Sequence, residues 1–533
     1  MTQRYDALII GGGHNGLVAA AYLARAGQKV LVLERRPVLG GASVTEEIVP
    51  GFKFSRLAYL NSLFRPEIIR DLDLHAHGLE FLPRNPSSFS PFPDGRYLLL
   101  GPDHSFNQRE ISKFSPKDAE AYPKYEAWLE TFAEFIESTL DLTPPDLTRL
   151  TPGNLLTLAG LGRRALGLGP RNLQALVELL TGAATPILDR WFESEHLKVT
   201  LATDAVIGAM ASPSMPGTAY VLLHHVMGTT GGARGVWAYV RGGMGALSEA
   251  LASAARAAGA EIRTKAAVAQ ILSERGRAVG VVLANGDEIR ARVVLSNADP
   301  VVTFLKLIPE GVLPDDFRAG IAALDFSSAT IKINVALSEL PNFVAAPGRE
   351  AGPQHRGTIH ISPTMDYVER AFDDAKYGRP SASPVIEMTL PSVLDDTLAP
   401  VGQHVASLFI QYAPYELAEG HWDDLKEPFA DRVFAIIDEY APNFSKSVIG
   451  RDVVSPLDLE REFGLTGGNI FHGAMPLHQM FFFRPTPGYA NYRTPLRGLY
   501  LCGAGAHPGG GVMGAPGANA AREVLRDVKA GRV

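Results

Sequence analysis

A single cysteine, Cys502, is the whole thiol content of this 533-residue chain. Chemistry that cycles between a dithiol and a disulfide needs two thiols within reach, so one chain cannot perform it. A framework of structural disulfides is excluded as well, which suits a reducing compartment. Charge of one sign is also missing. Lys and Arg total 50 against 57 Asp and Glu, a net charge of −7 with no block of either sign. Nucleic-acid binding, which relies on clustered cations against phosphates, gets no support. No run of about 18 apolar residues occurs, so no membrane-spanning helix is expected. The N-terminus enters an apolar stretch with no basic region ahead of it, and no secretory signal is expected. The expected location is the cytoplasm, or the mitochondrial matrix or inner-membrane surface in a eukaryotic source. The 14 histidines show no metal-ligand spacing, so no metal site is expected. What remains, 46% hydrophobic and 20% charged, is ordinary for a globular protein, and the length predicts two structural domains.

The first forty residues are the most informative. Ala7, Leu8, Ile9 and Ile10 form a short apolar run, as a buried parallel strand requires. GGGHNG follows at once, placing Gly11, Gly13 and Gly16 in a G-x-G-x-x-G spacing. An Ala- and Leu-rich helix is predicted over 17–26 with Gly27 at its end, then a second strand, Val30–Leu33, stopping at Glu34. Each part answers a need of a bound dinucleotide. Gly11 permits the tight turn, Gly13 lets backbone approach a pyrophosphate, and Gly16 allows close helix–strand packing. The helix start offers free amides and partial positive charge to phosphates. Glu34 stands 18 residues beyond Gly16, where a carboxylate accepts from ribose hydroxyls and repels a 2′-phosphate. This motif does not separate one dinucleotide from another. No second unit of this kind occurs, so a dedicated NAD(P)H domain is not expected.

Three further segments narrow the choice. Gly40-Gly41 follows Glu34 in RRPVLGGASVTEE. GGMG at 242–245 opens a predicted helix over 246–258, followed by Val268, a hairpin turning at Asn285-Gly286, and VLSNADP. Near the C-terminus LYLC leads into GAGAHPGGGVMGAPG, with a predicted helix over 513–525. Together with the first motif these resemble the phytoene desaturase-like and amine-oxidase-like flavoproteins. EEIVPGFKFSRLAYLNSLFRP, WFESEHLK, TLATDAVIGAM, YVLLHHVMG and TGGNIFHGAMPLHQM resemble one branch, the pyridine nucleotide-disulphide oxidoreductase domain-containing protein 2 type. The resemblance runs over essentially the whole chain.

That resemblance implies FAD, bound non-covalently. Gly40 and Gly41 would continue the backbone past the pyrophosphate, Val268 would meet adenine, and amides around Gly511 and Val512 would face the pyrimidine edge of the flavin. The expected contact set also includes His14, Asn15, Arg35, Ala42, Ser43, Asn297, Gly503 and Ala504. Two positions depart from the family pattern: Ala42 stands where Arg often follows the glycine pair, and Ala504 where an acid often holds the ribityl chain. Backbone contacts carry most of the binding, so lowered affinity rather than loss is expected. The fold expected is α/β plus α+β, a Rossmann-type FAD-binding domain with an antiparallel-sheet and helical substrate domain. The FAD domain is discontinuous, roughly 1–75, 232–302 and 485–533. Residues 76–231 and 303–484 form the substrate-binding and lid domain.

Alternating stretches at Thr330–Leu337, 358–362, 385–390 and 405–412 predict the antiparallel sheet. Lys332 alternates with Ile331 and Ile333, which by itself favours a lysine on the wet face of a half-exposed strand. Related amine oxidases carry a lysine in a matching strand, holding a water near flavin N5, so Lys332 is a catalytic candidate. His507, inside the flavin motif, is the other, with a turn-fastening role as its alternative. Trp191-Phe192 and Phe481–Phe483 are read as core aromatics, and Cys502 as a buried structural thiol. Residues 155–180 carry only four charges, Arg163, Arg164, Arg171 and Glu178. Gly and Pro at 162, 167, 169 and 170 break this stretch, which favours a lid of two helices over one lying on a membrane surface.

The expected activity is hydride transfer from an apolar or mixed small molecule to flavin N5, without a strong acid or base. A carotenoid desaturase or ketolase is the enzymatic alternative, and an FAD-bearing regulatory or scaffold protein the non-enzymatic one. The electron acceptor is left open by the sequence, with oxygen and a quinone as candidates.

Overall fold

Arg4–Ile10 lies at the centre of a seven-stranded sheet in a computed structural model that describes residues 4–149, 151–230 and 233–533. The expected domain boundary at 231–232 falls outside those residues. Val30–Leu33 and then Glu261–Arg263 run parallel to this strand on one side. Glu288–Ser296 runs parallel on the other. That nine-residue strand has two partners along its far edge. Its first residues pair antiparallel with Arg277–Leu283, and its last three pair parallel with Leu499–Leu501. The order of strands therefore gathers the N-terminal, middle and C-terminal motifs into one layer. Val30–Leu33 is buried at every position, as a central parallel strand must be.

Three helices cover this sheet: His14–Arg25, Met244–Ala257 and Ala515–Lys529. The first begins three residues earlier than periodicity predicts, with Gly13 as its N-cap, so His14, Asn15 and Gly16 form its first turn. The last begins two residues late, because Gly514 caps it in a left-handed conformation. Two glycines set how close these helices come. A Cβ on Gly16 would lie 2.3 Å from the Gly11 carbonyl, and one on Gly517 would lie 2.1 Å from the Asn15 carbonyl. Only hydrogen fits at either contact.

The second sheet also has seven strands, in the order Val448–Val454, Thr330–Leu337, His404–Gln411, Val385–Thr389, Thr358–Ile361, Ser88–Pro91 and Tyr97–Leu100. All neighbours are antiparallel except Thr358–Ile361 with Ser88–Pro91. Thr330–Leu337 departs from the expected half-exposed strand, for all eight residues are buried. Its Ile331, Ile333, Val335 and Leu337 pack in one apolar core with Trp422, Val433 and Ile437 of the helix Trp422–Tyr440. Its polar side is enclosed as well, by the rest of the molecule.

Helices between 104 and 226 complete the substrate side. Trp191 and Phe192 pack on Tyr125, with ring centres 5.7 and 5.0 Å away. The stretch 155–180 is two helices, Pro152–Gly167 and Gly169–Thr181, broken at Leu168. No residue of the first is buried. The fold is thus a Rossmann-type α/β layer beside an antiparallel sheet dressed with helices, as the sequence predicts. Among the described residues no helix is long and apolar enough to cross a membrane.

Candidate active site

One cavity of about 1060 Å³ runs from the first sheet to the second. At the Rossmann end its wall includes Gly11, Gly13, His14, Asn15, Glu34 and Arg35, then Gly40, Gly41 and Ala42. Val268, Asn297, Ala504, Gly511 and Val512 line it too. Fourteen of the expected cofactor contacts therefore share one wall. Gly16, Ser43 and Gly503 do not, and each has a packing reason. Gly16 is taken up by the helix–strand contact. The Ser43 hydroxyl donates to the Met244 carbonyl at 2.9 Å, fastening the loop to the helix Met244–Ala257. A Cβ on Gly503 would lie 2.6 Å from the Asn297 carbonyl, so it marks a close approach of two chain segments.

The first two turns hold each other. Gly40 N–H donates to the Gly12 carbonyl at 2.9 Å, bringing the glycine pair against GGGHNG. Glu34 is buried, and each carboxylate oxygen accepts a backbone amide: Oε2 from Gly12 at 2.8 Å and Oε1 from Arg36 at 2.8 Å. Lone pairs remain on both oxygens toward the cavity. Arg35, by contrast, donates from Nη2 to the Glu462 carbonyl, at 2.7 Å.

These residues fit a dinucleotide. A side chain on Gly13 would meet Asn297 Nδ2 at 2.8 Å, so bare backbone forms the wall where a pyrophosphate would pass. Asn15 Oδ1 and His472 Nδ1 are buried on the same wall without hydrogen-bond partners among the described residues, and so await a ligand. Burial holds His14 and His224 neutral, each pushed down to about 3, with a neighbouring histidine adding to the effect.

Lys332 lines the other end, and its wet-face reading does not hold. It is 2% exposed, and its Nζ donates to Asn334 Oδ1 at 2.9 Å and to Ser407 Oγ. The Nζ also lies 5.2 Å from the centre of the Tyr59 ring. Burial lowers its pKa to about 7, with Asp452 opposing. The alternation was real, but the polar face of the strand meets the cavity instead of bulk water.

His507 is a correction. It does not line the cavity; its Nε2–H donates to the Thr139 carbonyl at 3.0 Å, and burial lowers its pKa to about 4. It fastens the C-terminal loop to the long helix Pro116–Leu140. The segment 155–180 is another, since none of its residues lines the cavity and no lid is formed there. The expectation of a site without strong acids or bases also fails. Glu387, His360, Tyr59, Asp204 and Arg84 all line the cavity. Tyr59 donates to Glu387 Oε2 at 3.0 Å, and His360 Nδ1 is 3.4 Å from Glu387 Oε1. Burial alone would raise the Glu387 pKa, but His360 and Tyr59 hold it below the ordinary carboxylate value. Asp204 moves the other way, raised by burial. Two carboxyls driven apart in this fashion can serve as base and acid. Sequence reading missed them although one signal was present: Glu387 in VIEMT and His360 in TIHI are lone ionisable residues in apolar strands, the same pattern that singled out Lys332.

Comparison with known proteins now bears on the chemistry. A family described as NAD(P)-binding Rossmann-like domain matches residues 9–72. The family described as flavin containing amine oxidoreductase matches residues 67–364, more than half of the chain. The chain belongs to that family. Pyridine nucleotide-disulfide oxidoreductase domain-containing protein 2 of Rattus norvegicus is 54% identical, over 99% of this chain and 94% of its own length. A limonene dehydrogenase chain of Castellaniella defragrans is 29% identical, over 99% of this chain and 95% of its own. Among solved structures, wild-type putrescine oxidase bound to putrescine aligns with a TM-score of 0.60 at 14% identity, covering 99% of this chain and all of that one. That likeness is one of fold. The protein is therefore a flavin oxidoreductase of the amine oxidase type, acting on a small molecule. The disulfide in the rat relative's name has no counterpart here: Cys502 is the sole cysteine, buried, with its thiol pushed far above the ordinary range by burial.

Proposed function

We propose that this protein is an FAD-dependent oxidoreductase that takes hydride from a small molecule bound against its antiparallel sheet. One observation carries the reading. A single cavity joins Glu34 and the glycine turns to Gly511, Val512 and Lys332. Bound there, FAD supplies a two-electron, hydride-accepting group. Glu34 would accept from the adenosine ribose, and Gly13, Gly40 and Gly41 would admit the pyrophosphate against bare backbone. Val268 would bound the adenine, and the amides of Gly511 and Val512 would favour negative charge at the pyrimidine edge. The parts of the chain that hold the cofactor are roughly 1–75, 232–302 and 485–533.

Attachment is non-covalent in this reading, since Cys502 lies off the cavity wall. The sequence holds no second dinucleotide unit, so reoxidation falls to oxygen or a quinone. The limonene dehydrogenase relative, going by its name, points to a hydrocarbon substrate. A wall bearing Glu387, Asp204, His360 and Arg84 disfavours that here, because an apolar ligand would desolvate these groups without replacing their partners.

The test is direct. Purified protein should carry flavin absorbance, and denaturation should release FAD in near-stoichiometric amount. Anaerobic mixing with a metabolite library should then bleach the flavin with some member. A colourless protein that FAD cannot reconstitute overturns the proposal. Protein that binds FAD but is reduced by nothing supports a regulatory or scaffold role instead.

A further inference from the structure

One histidine of the cavity wall is held in a conformation that histidine seldom adopts. His472 has a φ of 59°, in the left-handed region that is costly for a residue with a Cβ. The chain around it is pinned. Asn469 Oδ1 accepts from the Phe471 and Gly473 amides, at 2.9 and 3.1 Å. The buried Arg484 donates from Nη2 to the Phe471 and Gly473 carbonyls, at 2.6 and 3.2 Å. Both neighbours of His472 are thus fixed at amide and carbonyl, and the strain falls on the residue between them.

The imidazole carries a second cost. Its Nδ1 is buried without a hydrogen-bond partner among the described residues. Nε2 makes no hydrogen bond there either, but it is not buried, and so it is the ring nitrogen open to the cavity that His472 lines. Burial lowers the pKa of the ring, with Asp299 opposing and Arg484 assisting, which leaves it neutral. A neutral imidazole offers one N–H and one lone pair. Nothing inside the fold offsets the strain or the unmatched ring. Such a residue persists where it serves a ligand.

Its neighbours tell which part of a dinucleotide it meets. On one side stands His14, in the first turn of the helix His14–Arg25, where the pyrophosphate would pass. On the other is the C-terminal glycine turn. Phe471 packs on Gly510, where a Cβ would lie 2.5 Å from the Phe471 ring. Arg484, which pins the loop, also donates from Nε to the Ala504 carbonyl at 2.9 Å. Gly511 and Val512 follow on that turn, at the flavin end of the reading above. Between its pyrophosphate and its ring system FAD has a ribityl chain, a row of hydroxyls that each donate and accept. Ala504 lines the cavity here too, but offers those hydroxyls no polar side chain.

We propose that Nε2 of His472 hydrogen-bonds a ribityl hydroxyl of bound FAD, and that the strained turn is kept to hold it there. The inference rests on the FAD reading above. His472 is then a cofactor-binding residue and not a base, since no bond is made or broken at it. A neutral ring nitrogen can pair with a hydroxyl in either tautomer, whereas a phosphate oxygen would require the N–H form. ADP has the adenosine and the pyrophosphate of FAD but no ribityl chain, so its binding should not depend on His472.

Two variants and two ligands test this. Glycine and asparagine both tolerate the left-handed conformation, and neither reaches as far as histidine. Apoprotein of His472→Gly and of His472→Asn should therefore unfold at or above the temperature of parent apoprotein. Both variants should nonetheless bind FAD about 3- to 10-fold more weakly, the loss of one neutral hydrogen bond, in a flavin fluorescence titration. ADP, measured as a competitor of FAD, should bind parent and variants alike. Unchanged FAD affinity in both variants overturns the proposal. So does an equal loss for ADP, which would put His472 at the pyrophosphate. A lowered apoprotein transition in both variants overturns it too, by making His472 a structural residue. Parent protein that binds no FAD would instead strike the reading on which the proposal rests.

Discussion

Lys332 shows at the residue scale how burial changes a group's chemistry. Burial brings its pKa from 10.5 to about 7. Below that value the lysine is charged in both folded and unfolded chains; between the two values only the unfolded chain keeps the proton. Stability at this position therefore rises with pH across that window. Lys332→Met should be more stable than the parent near neutrality, by roughly 2 kcal/mol after the orphaned Asn334 and Ser407 are counted. The advantage should shrink as pH rises through the window, as denaturant unfolding at several pH values would show. A constant difference would mean that the lysine stays charged in the fold. Glu34 gives a second prediction. Its two oxygens are fixed by the Gly12 and Arg36 amides, so it meets a ribose without reorganising. Glu34→Gln should weaken FAD binding by about 10- to 100-fold, the loss of one or two charge-assisted hydrogen bonds. Retained FAD after gel filtration measures this. Both residues were legible in the sequence, Glu34 from its offset and Lys332 from its isolation among isoleucines. His360 and Glu387 were equally isolated, but nothing in the chain says that their strands are neighbours.

Among the elements, tight helix contacts matter more than helix number. The helices His14–Arg25 and Ala515–Lys529 pack together, and Gly517 sits against the Asn15 carbonyl. Gly517→Val should force them apart at a cost of about 3 kcal/mol and lower FAD affinity with it, since His14 and Asn15 line the cavity. Thermal unfolding and flavin titration should both report the loss. The helix Pro152–Gly167 predicts the opposite. Leu156 and Leu166 are 75% and 74% exposed, and no residue of the helix is buried. Leu156→Ser and Leu166→Ser should each change stability by no more than about 0.5 kcal/mol and leave flavin reduction unaltered. A larger loss would show that this helix packs on something. Its break from the next helix was readable from Gly and Pro, whereas its distance from the cavity was not, because composition does not state what lies beneath a helix.

Across the whole molecule, the cavity is the joint between two sheets built from alternating parts of the chain. A ligand that fills it ties the Rossmann layer to the antiparallel sheet and is bound only by the folded form. FAD at about a hundred times its dissociation constant should therefore add about 2.7 kcal/mol to stability. Thermal unfolding of apoprotein and reconstituted protein should reveal an upward shift on reconstitution. An unchanged transition would place the cofactor outside this joint.

The sequence by itself determined the dinucleotide turn and the absence of disulfide chemistry. The turn is a contiguous unit, in which strand, glycines, helix and acid lie within some thirty residues and need no distant partner. The single cysteine is a count, and no fold can alter it. Tertiary structure alone decided that the wet face of Thr330–Leu337 is a cavity wall, that His507 is a fastening, and that Lys332, Phe409, Glu387 and His360 form one row. An alternating strand records that its two faces differ, not what each face meets. That is settled by strand order, and strand order depends on pairings between segments far apart in the chain.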